Sequence, residues 1–330
     1  MARFLSGVAS GIVGLVFLGT ASFASVAPIP NAQFEHAPYG DRVCSLCHQR
    51  DDETNPGPLN QPDVNSVCMT CHDGFSGKHL HKAMVTNCTN CHNPHNSNTE
   101  RFLRAPAPTL CTRCHTQIGN IITNSATKHG AMEVGQSCLN CHNPHASKVE
   151  KLLKGLPYDL CVNCHNTNDL VDHNGKKLAN IKELIESKPY VHAPVAEKDC
   201  SACHQTHGSQ NFRLLVEPFP ATFYSPFEES NYALCFTCHD STMVTEPETA
   251  NLTGFRNGQK NLHFLHVNRE DGRGRTCRAC HEVHAAEQPH NIRDGVPYGN
   301  RGWILKIHYE QLPNGGRCAK TCHTTREYRR

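Results

Sequence analysis

The chain has 330 residues, of which 38% are hydrophobic and 7% aromatic, and its mean hydropathy is −0.53. So few apolar side chains argue against a conventional hydrophobic core in a chain of this length. The formal net charge is only +2, which gives no reason to expect nucleic acid or an anionic membrane surface as a partner.

The N-terminal residues 1–24 predict a secretory signal peptide. One basic residue, Arg3, precedes an apolar run that ends in small residues, with an expected cleavage after Ala24. A retained membrane anchor is the alternative, although the run is shorter than the ~20 residues that a spanning helix needs. We therefore expect residues 25–330 to be exported, as a periplasmic, outer-membrane-associated or extracellular protein that is not an integral membrane protein.

The cysteines follow one repeated motif. C-x-x-C-H occurs nine times, and a tenth copy near the C-terminus has three residues between its cysteines. All 20 cysteines belong to these ten pairs: Cys44 and Cys47, Cys68 and Cys71, Cys88 and Cys91, Cys111 and Cys114, Cys138 and Cys141, Cys161 and Cys164, Cys200 and Cys203, Cys235 and Cys238, Cys277 and Cys280, Cys318 and Cys322. Zinc sites and disulfide scaffolds also use closely spaced cysteines, but neither requires a histidine after each pair. The pattern predicts ten covalently bound haems c.

In such a site the two thiols bond one edge of the porphyrin, and the adjacent imidazole binds the iron as the proximal axial ligand. The predicted proximal ligands are His48, His72, His92, His115, His142, His165, His204, His239, His281 and His323. The stretched tenth motif could instead stay empty or form a disulfide.

About 306 residues for ten haems leave so little chain per haem that the porphyrins must form the core. The predicted fold is mostly irregular loop with short α-helices, elongated around a row of ten haems, with little or no β-sheet. A short helix is expected at Asn180–Ser187, and residues 302–309 alternate well enough for one strand. The aromatic insertion at residues 218–229 is either a docking surface or a loop packed over haem edges.

The motifs alternate between two kinds, so the chain reads as a two-haem unit repeated five times. Odd-numbered motifs have a histidine 7 to 11 residues upstream and, in four cases, a histidine three residues downstream. Even-numbered motifs follow a short apolar lead such as "TLC" or "DLC".

These extra histidines are the candidate distal ligands, because an iron held by two imidazoles needs one more histidine per haem. Six lie upstream of a motif and four downstream: His36, His81, His129, His192, His266, His308, His95, His145, His207 and His284. The histidines left over are His79, His173, His263 and His290. His79 competes with His81 and His263 with His266, and Met84 or Met132 could replace an imidazole.

A downstream histidine such as His95 follows the proximal His92 by one turn and lies on the proximal side of its own haem. It can therefore only reach a different haem. Which neighbour each distal histidine serves stays open at this point.

The alternation of "CHNPH" segments with plain C-x-x-C-H motifs resembles the doubled C-x-x-C-H motif family of multihaem cytochromes c. The number of motifs and the chain length are similar to those of the MtrA/DmsE-type decahaem cytochromes. This resemblance implies bis-histidine haems and electron transport between the periplasm and the outside, inside or against an outer-membrane porin. The stretched tenth motif departs from that subgroup.

We expect an electron-transfer protein that works with redox partner proteins and with no nucleic acid, since the haem propionates would make it acidic. One alternative is a subunit of an extracellular cytochrome filament built from copies of this chain. Another is a multihaem oxidoreductase with an open iron at His323, although no C-x-x-C-K motif is present.

Overall fold

The computed structural model describes residues 26–172, 174–299, 303–319 and 322–330. The predicted signal peptide and His173 lie outside the described residues. Most of the described chain is loop and turn that links short elements, as expected from the sequence. No helix in this part of the chain is long and apolar enough to cross a membrane.

The helices are short. The α-helices are Ala37–Gly40, Val64–Cys68, Lys82–Thr86, Ala107–Thr112, Thr116–Asn124, Pro157–Val162, Ile181–Ser187, Ala193–Ala196, Ala233–Phe236, Thr242–Thr245 and Leu262–Val267. The 3-10 helices are Cys44–Leu46, Cys88–Asn90, Glu100–Phe102, Gly130–Met132, Ser137–Asn140, Glu150–Leu152, Cys200–Ala202, Phe212–Leu214, Glu229–Tyr232, Cys277–Ala279 and Pro289–Asn291. The helix expected near residue 180 is confirmed, because the Asn180 side chain accepts a hydrogen bond from the Glu183 amide at 3.0 Å and caps it.

Along the repeats the strands are only two residues long. Four antiparallel contacts join segments far apart in sequence: Phe34–Glu35 with Asn96–Ser97, His79–Leu80 with Ala146–Ser147, Thr127 with Ser209, and Tyr190–Val191 with Ala285–Ala286. Each contact joins the start of one two-haem unit to the region after the odd motif of the next unit. A further hairpin pairs Arg256–Asn257 with Lys260–Asn261.

The expectation of little or no sheet is wrong for the C-terminus. Gly295–Tyr298 pairs with Trp303–Lys306 in a hairpin, and His308–Leu312, Gly315–Ala319 and Arg326–Arg329 form a three-stranded antiparallel sheet. The single strand expected at residues 302–309 is interrupted at Ile307, so its two halves belong to two different sheets. The alternating pattern indicated extended chain but could not show how the strands pair.

A buried apolar cluster lies in the same part of the molecule. Its centre is Leu215, Phe219, Tyr232, Val244 and Val267, and Tyr232 is fully buried. Phe219 and Phe227 of the aromatic insertion pack into this cluster. The insertion therefore contributes to a conventional core, which neither interpretation of the sequence anticipated.

Candidate haem-binding sites

Each C-x-x-C-H motif forms one helical turn. In the nine regular motifs the amide of the histidine donates to the carbonyl of the first cysteine at 2.9–3.1 Å. Odd motifs form 3-10 turns such as Cys88–Asn90, whereas even motifs lie at the ends of α-helices such as Ala107–Thr112. The turn places both thiols and the imidazole beside one another, as a covalently held haem requires. The two kinds of motif seen in the sequence are thus two kinds of local structure.

Nine of the ten proximal histidines face a second histidine ring. In every pair the ring centroids are 5.9–6.5 Å apart and the ring planes differ by 5–23°. The pairs are His72 with His36, His48 with His95, His115 with His81, His92 with His145, His165 with His129, His142 with His207, His239 with His192, His204 with His284, and His281 with His263.

This spacing fits an iron between two imidazoles. A metal–imidazole bond is ~2.0–2.1 Å long and the ring centre lies ~1.1 Å behind the bound nitrogen, so two rings on one metal have centroids about 6.3 Å apart. Stacking rings in direct contact would approach more closely, as Phe75 and His145 do at 4.0 Å. The residues present therefore fit bis-histidine haem at nine motifs.

The pairs follow a rule that the sequence did not show. An upstream histidine faces the even proximal histidine of its own unit, as His36 faces His72. A downstream histidine reaches back to the odd proximal histidine of the preceding unit, as His95 faces His48. Successive units therefore interlock.

The small strand contacts create this interlock. The His36 amide donates to the His95 carbonyl at 2.9 Å, the His81 amide to that of His145 at 3.0 Å, and the His192 amide to that of His284 at 3.1 Å. In each case an upstream and a downstream histidine lie side by side on two different units. His79, one of the histidines left over, is a strand residue opposite Ser147 in such a contact.

The odd proximal histidines share an orienting hydrogen bond. Their Nδ1 atoms lie 2.8–3.0 Å from a carbonyl oxygen nine residues downstream, on Gly57, Arg101, Lys151, Arg213 and His290 in turn. A hydrogen bond at Nδ1 fixes the ring and leaves Nε2 free for a metal. The carbonyl of His290 provides this contact, which gives that leftover histidine a backbone role.

A left-handed turn orients the carbonyl group that contacts Nδ1 of each odd proximal histidine. Arg101, Lys151, Arg213 and His290 have φ angles of 52–59°, and the residue after each also has positive φ. This conformation costs an L-residue roughly 1–2 kcal/mol. In the first unit Gly57, at φ 74°, adopts it without that cost.

The cysteines connect the sites in sequence order. Four pairs of thiols share a hydrogen bond: Cys68 with Cys88, Cys111 with Cys138, Cys161 with Cys200, and Cys235 with Cys277. In five others burial raises the pKa of one thiol and the charge of a cysteine in the next motif raises it further: Cys47 by Cys71, Cys91 by Cys114, Cys141 by Cys164, Cys203 by Cys238, and Cys280 by Cys318. Together these electrostatic interactions relate every motif to the next, from the first to the tenth.

Burial keeps two of the facing imidazoles neutral at pH 7. Burial and, to a lesser extent, a neighbouring histidine lower the pKa of His204 and of His263 to about 4. A neutral imidazole is the form that binds a metal. These two side chains are therefore in the form of a ligand at pH 7.

The last unit departs from the expected assignment. His263, which the sequence left over, faces His281, and His266 does not. His266 lies close enough to His323 for their charges to interact. His308 is exposed on a strand and forms no ring pair among the described residues. Cys318 and Cys322 are free thiols rather than a disulfide.

Comparison with known proteins agrees with these sites. The family model named Doubled CXXCH motif matches residues 36–77, 81–120, 129–170 and 192–244, which is more than half of the chain. The chain is also 36% identical over 84 residues to multiheme cytochrome MtrA of Shewanella baltica. That stretch is 25% of this chain and 25% of the relative. The chain therefore belongs to the doubled CXXCH motif family of multihaem cytochromes c, which bind haem covalently.

Proposed function

We propose that the chain binds ten haems c, one at each motif, and that the nine facing ring pairs are the axial ligands of nine of them. The proximal histidine supplies one ligand and the upstream or downstream histidine the other. Bound haem c would supply reversible one-electron chemistry at its iron. The observation that carries the proposal is the uniform 5.9–6.5 Å separation of nine ring pairs.

The protein is then an electron conduit. The electrostatic interactions between thiols of consecutive motifs support a single row of haem sites that follows the sequence. A row of ten porphyrins exceeds the ~30 Å thickness of a bilayer's hydrocarbon layer. Because each unit holds a ligand of the preceding unit, the chain fixes the spacing between neighbouring haems without a large hydrophobic core.

We place this conduit outside the cytoplasm, moving electrons across or beyond the outer membrane to or from extracellular acceptors. The predicted signal peptide and the likeness to an MtrA cytochrome support this location. The expected partners are soluble redox proteins and, by resemblance, an outer-membrane porin.

A filament of stacked copies is the second candidate. It would require contacts between haems at the two ends of neighbouring copies. The internal pairing of nine proximal histidines favours the discrete conduit, because these irons need no histidine from another copy.

The direct test is low-temperature EPR of the fully oxidised protein, before and after adding nitrite or cyanide, with the haem number counted by intact mass. We expect ten haems, of which the nine with a facing ring pair are low-spin and unchanged by either anion, because both of their axial positions are filled. A high-spin haem that shifts with the anion would reveal an open iron and contradict the pure conduit.

The interlock has its own test. His145→Ala removes the downstream histidine of the third unit. It should convert the haem at His92, in the second unit, to high-spin while nine haems stay low-spin. His79→Ala is the matched control, because His79 belongs to the same strand contact but faces no proximal ring; it should leave all ten low-spin. A high-spin haem elsewhere than at His92 would show that the units are paired differently.

A further inference from the structure

We propose that the helix Leu262–Val267 closes the haem row by supplying both of its last distal ligands. His263 would serve the ninth haem, at His281, and His266 the tenth, at the stretched motif that ends in His323. His308 is then not a ligand. This inference rests on the proposed function and assigns the two motifs of the fifth unit, where the ring pairs depart from the repeat rule.

The repeat rule does not hold at the fifth unit. In the first four units the odd proximal histidine faces a downstream histidine of the next unit, whereas His281 in the fifth unit faces His263, which precedes its own motif. At the four junctions between units an upstream and a downstream histidine on separate segments lie side by side, one for an even and one for an odd site. In the fifth unit, two histidines one turn apart on a single helix occupy the equivalent positions.

His263 faces the ninth proximal histidine. Its ring centroid is 6.5 Å from that of His281 with an interplanar angle of 23°, just above the 5.9–6.4 Å and 5–19° of the other eight pairs. Its Nδ1 lies 3.0 Å from the Thr253 hydroxyl, which leaves Nε2 free for a metal. The Asn261 side chain caps the helix by accepting from the amides of residues 263 and 264, so the ring is presented from a fixed first turn.

His266 is presented toward the tenth motif. Its Nδ1 is engaged by the Leu262 carbonyl, and its ring lies 5.5 Å from Phe255. Phe255 contacts Tyr328 edge-on at 5.1 Å, and the hydroxyls of Tyr328 and Tyr309 are 3.3 Å apart. These aromatic rings connect His266 to one face of the three-stranded sheet.

The register of the sheet places Cys318 on that face and His308 on the other. Tyr309 is directly opposite Cys318, and His308 is opposite Ala319. Opposed residues share a face and consecutive residues alternate. Cys318 therefore shares the face of Tyr309 and Tyr328, while His308 points away from the thiol that would hold the tenth haem.

The stretched motif fits this arrangement. The first cysteine of every regular motif lies in a helical turn, whereas Cys318 lies within the strand Gly315–Ala319. A strand rises about twice as far per residue as a helix. A cysteine pair that begins in a strand therefore needs a different spacing from the two residues that separate the cysteines of a helical motif. With His263 and His266 both used, every haem in the row has its ligands within the chain and none needs a histidine from a second copy.

The test uses the full haem-loaded protein in three variants: His263→Ala, His266→Ala and His308→Ala. Intact mass reports the haem number and low-temperature EPR the number of high-spin irons. We expect one high-spin haem in each of the first two variants and none in the third, with ten haems throughout. A high-spin haem in His308→Ala, or none in His266→Ala, would overturn the inference.

A second variant covers the case in which His266→Ala loses its tenth haem. In His266→Met the thioether would replace the imidazole and raise the potential of one haem, which a redox titration detects. An unchanged titration would also overturn the inference. Failure of the proposed function looks different, because it would appear in the wild-type protein as high-spin or missing haem at one of the nine motifs with a facing ring pair, before any substitution.

Discussion

Residues 26–211 and residues 212–330 are stabilised in different ways. In the first region the buried apolar side chains among the described residues are Val67, Ala146 and Val162, and the strands are two residues long. The second region contains a cluster built on Phe219 and Tyr232, two small sheets of four- and five-residue strands, and a helix that provides two candidate ligands.

The difference shows two ways of holding the candidate ligands. In the proposed row each unit is held by its neighbours through paired histidines, so the haems themselves would provide the core. In the fifth unit His281 faces His263 of its own unit, and ordinary protein packing holds the helix that carries His263. We infer that the C-terminal sheet and apolar cluster exist to hold the helix Leu262–Val267 in place.

The largest expected effect comes from withholding haem. In the full chain produced without haem attachment, residues 26–211 should lose nearly all amide protection in hydrogen exchange, because little apolar surface is buried there without porphyrin. Residues 212–330 should retain slower exchange in the strands of residues 308–329 and around Tyr232. Uniform protection across both regions would contradict the claim that the two regions are stabilised in different ways.

The next effect tests the apolar cluster in the haem-loaded protein. Removing the fully buried ring in Tyr232→Ala should destabilise residues 212–330 by about 3–5 kcal/mol, with no change in exchange rates before residue 212. Native-state hydrogen exchange measures both. Tyr190→Ala is the control, because Tyr190 is 41% exposed and should cost less than about 0.5 kcal/mol. An equal loss in both regions would mean that they unfold as one unit.

A smaller effect concerns the charge of buried arginines and the reduction potentials of the haems. Among the described residues, the buried guanidinium Nε atoms without a hydrogen-bond partner belong to Arg213, Arg275, Arg278 and Arg293, all in the second region. Haem propionates are anions that would satisfy them. A buried positive charge also favours the reduced iron, so this region should hold the haems of higher potential.

The corresponding variant is Arg278→Gln. It should lower the midpoint potential of at least one haem, by an energy on the order of 1–2 kcal/mol for a unit charge some ~10 Å away. A spectroelectrochemical titration provides the measurement. Arg269→Gln is the matched control, since Arg269 is exposed and paired with Asp271 at 2.6 Å, and it should leave the titration unchanged. Equal shifts in both variants would show a general charge effect instead.

The smallest effect lies in the left-handed turns of the repeats. Lys151→Gly should increase the free energy of unfolding by up to about 1 kcal/mol, because Gly adopts a φ of 57° without the cost that Lys incurs. The reverse change, Gly57→Lys, should decrease it by a similar amount. Denaturant midpoints followed by haem absorbance report both, and same-sign shifts would exclude backbone strain as the cause.

Much of this architecture was predictable from local pattern. The C-x-x-C-H motifs, their alternation and the helix near residue 180 depend on contacts within a few residues, which spacing reveals. The downstream histidine could be assigned to a different haem because it lies on the proximal side of its own. The proximal histidine that it faces could not be identified from the sequence. That pairing depends on a strand contact such as the one between Leu80 and Ala146, which are 66 positions apart in the chain.

The end of the chain was less predictable for a physical reason. Both rings lie beside Phe255, but only His263 faces the ring of His281, and the one-turn spacing of His263 and His266 does not show which of them does so. His308 has a spacing from Cys318 like that of an upstream histidine, but strand register places it on the opposite face. The length and pairing of strands come from long-range contacts, which the single predicted strand at residues 302–309 did not capture.

The most direct test of the account is a structure of the haem-loaded protein in which the irons are located by anomalous scattering. We predict ten irons in the order of the motifs along the chain, nine of them between the ring pairs seen here and the tenth between His323 and His266. An iron without a second histidine, or a distal histidine serving a haem of another unit than the one assigned, would contradict the interlocked row.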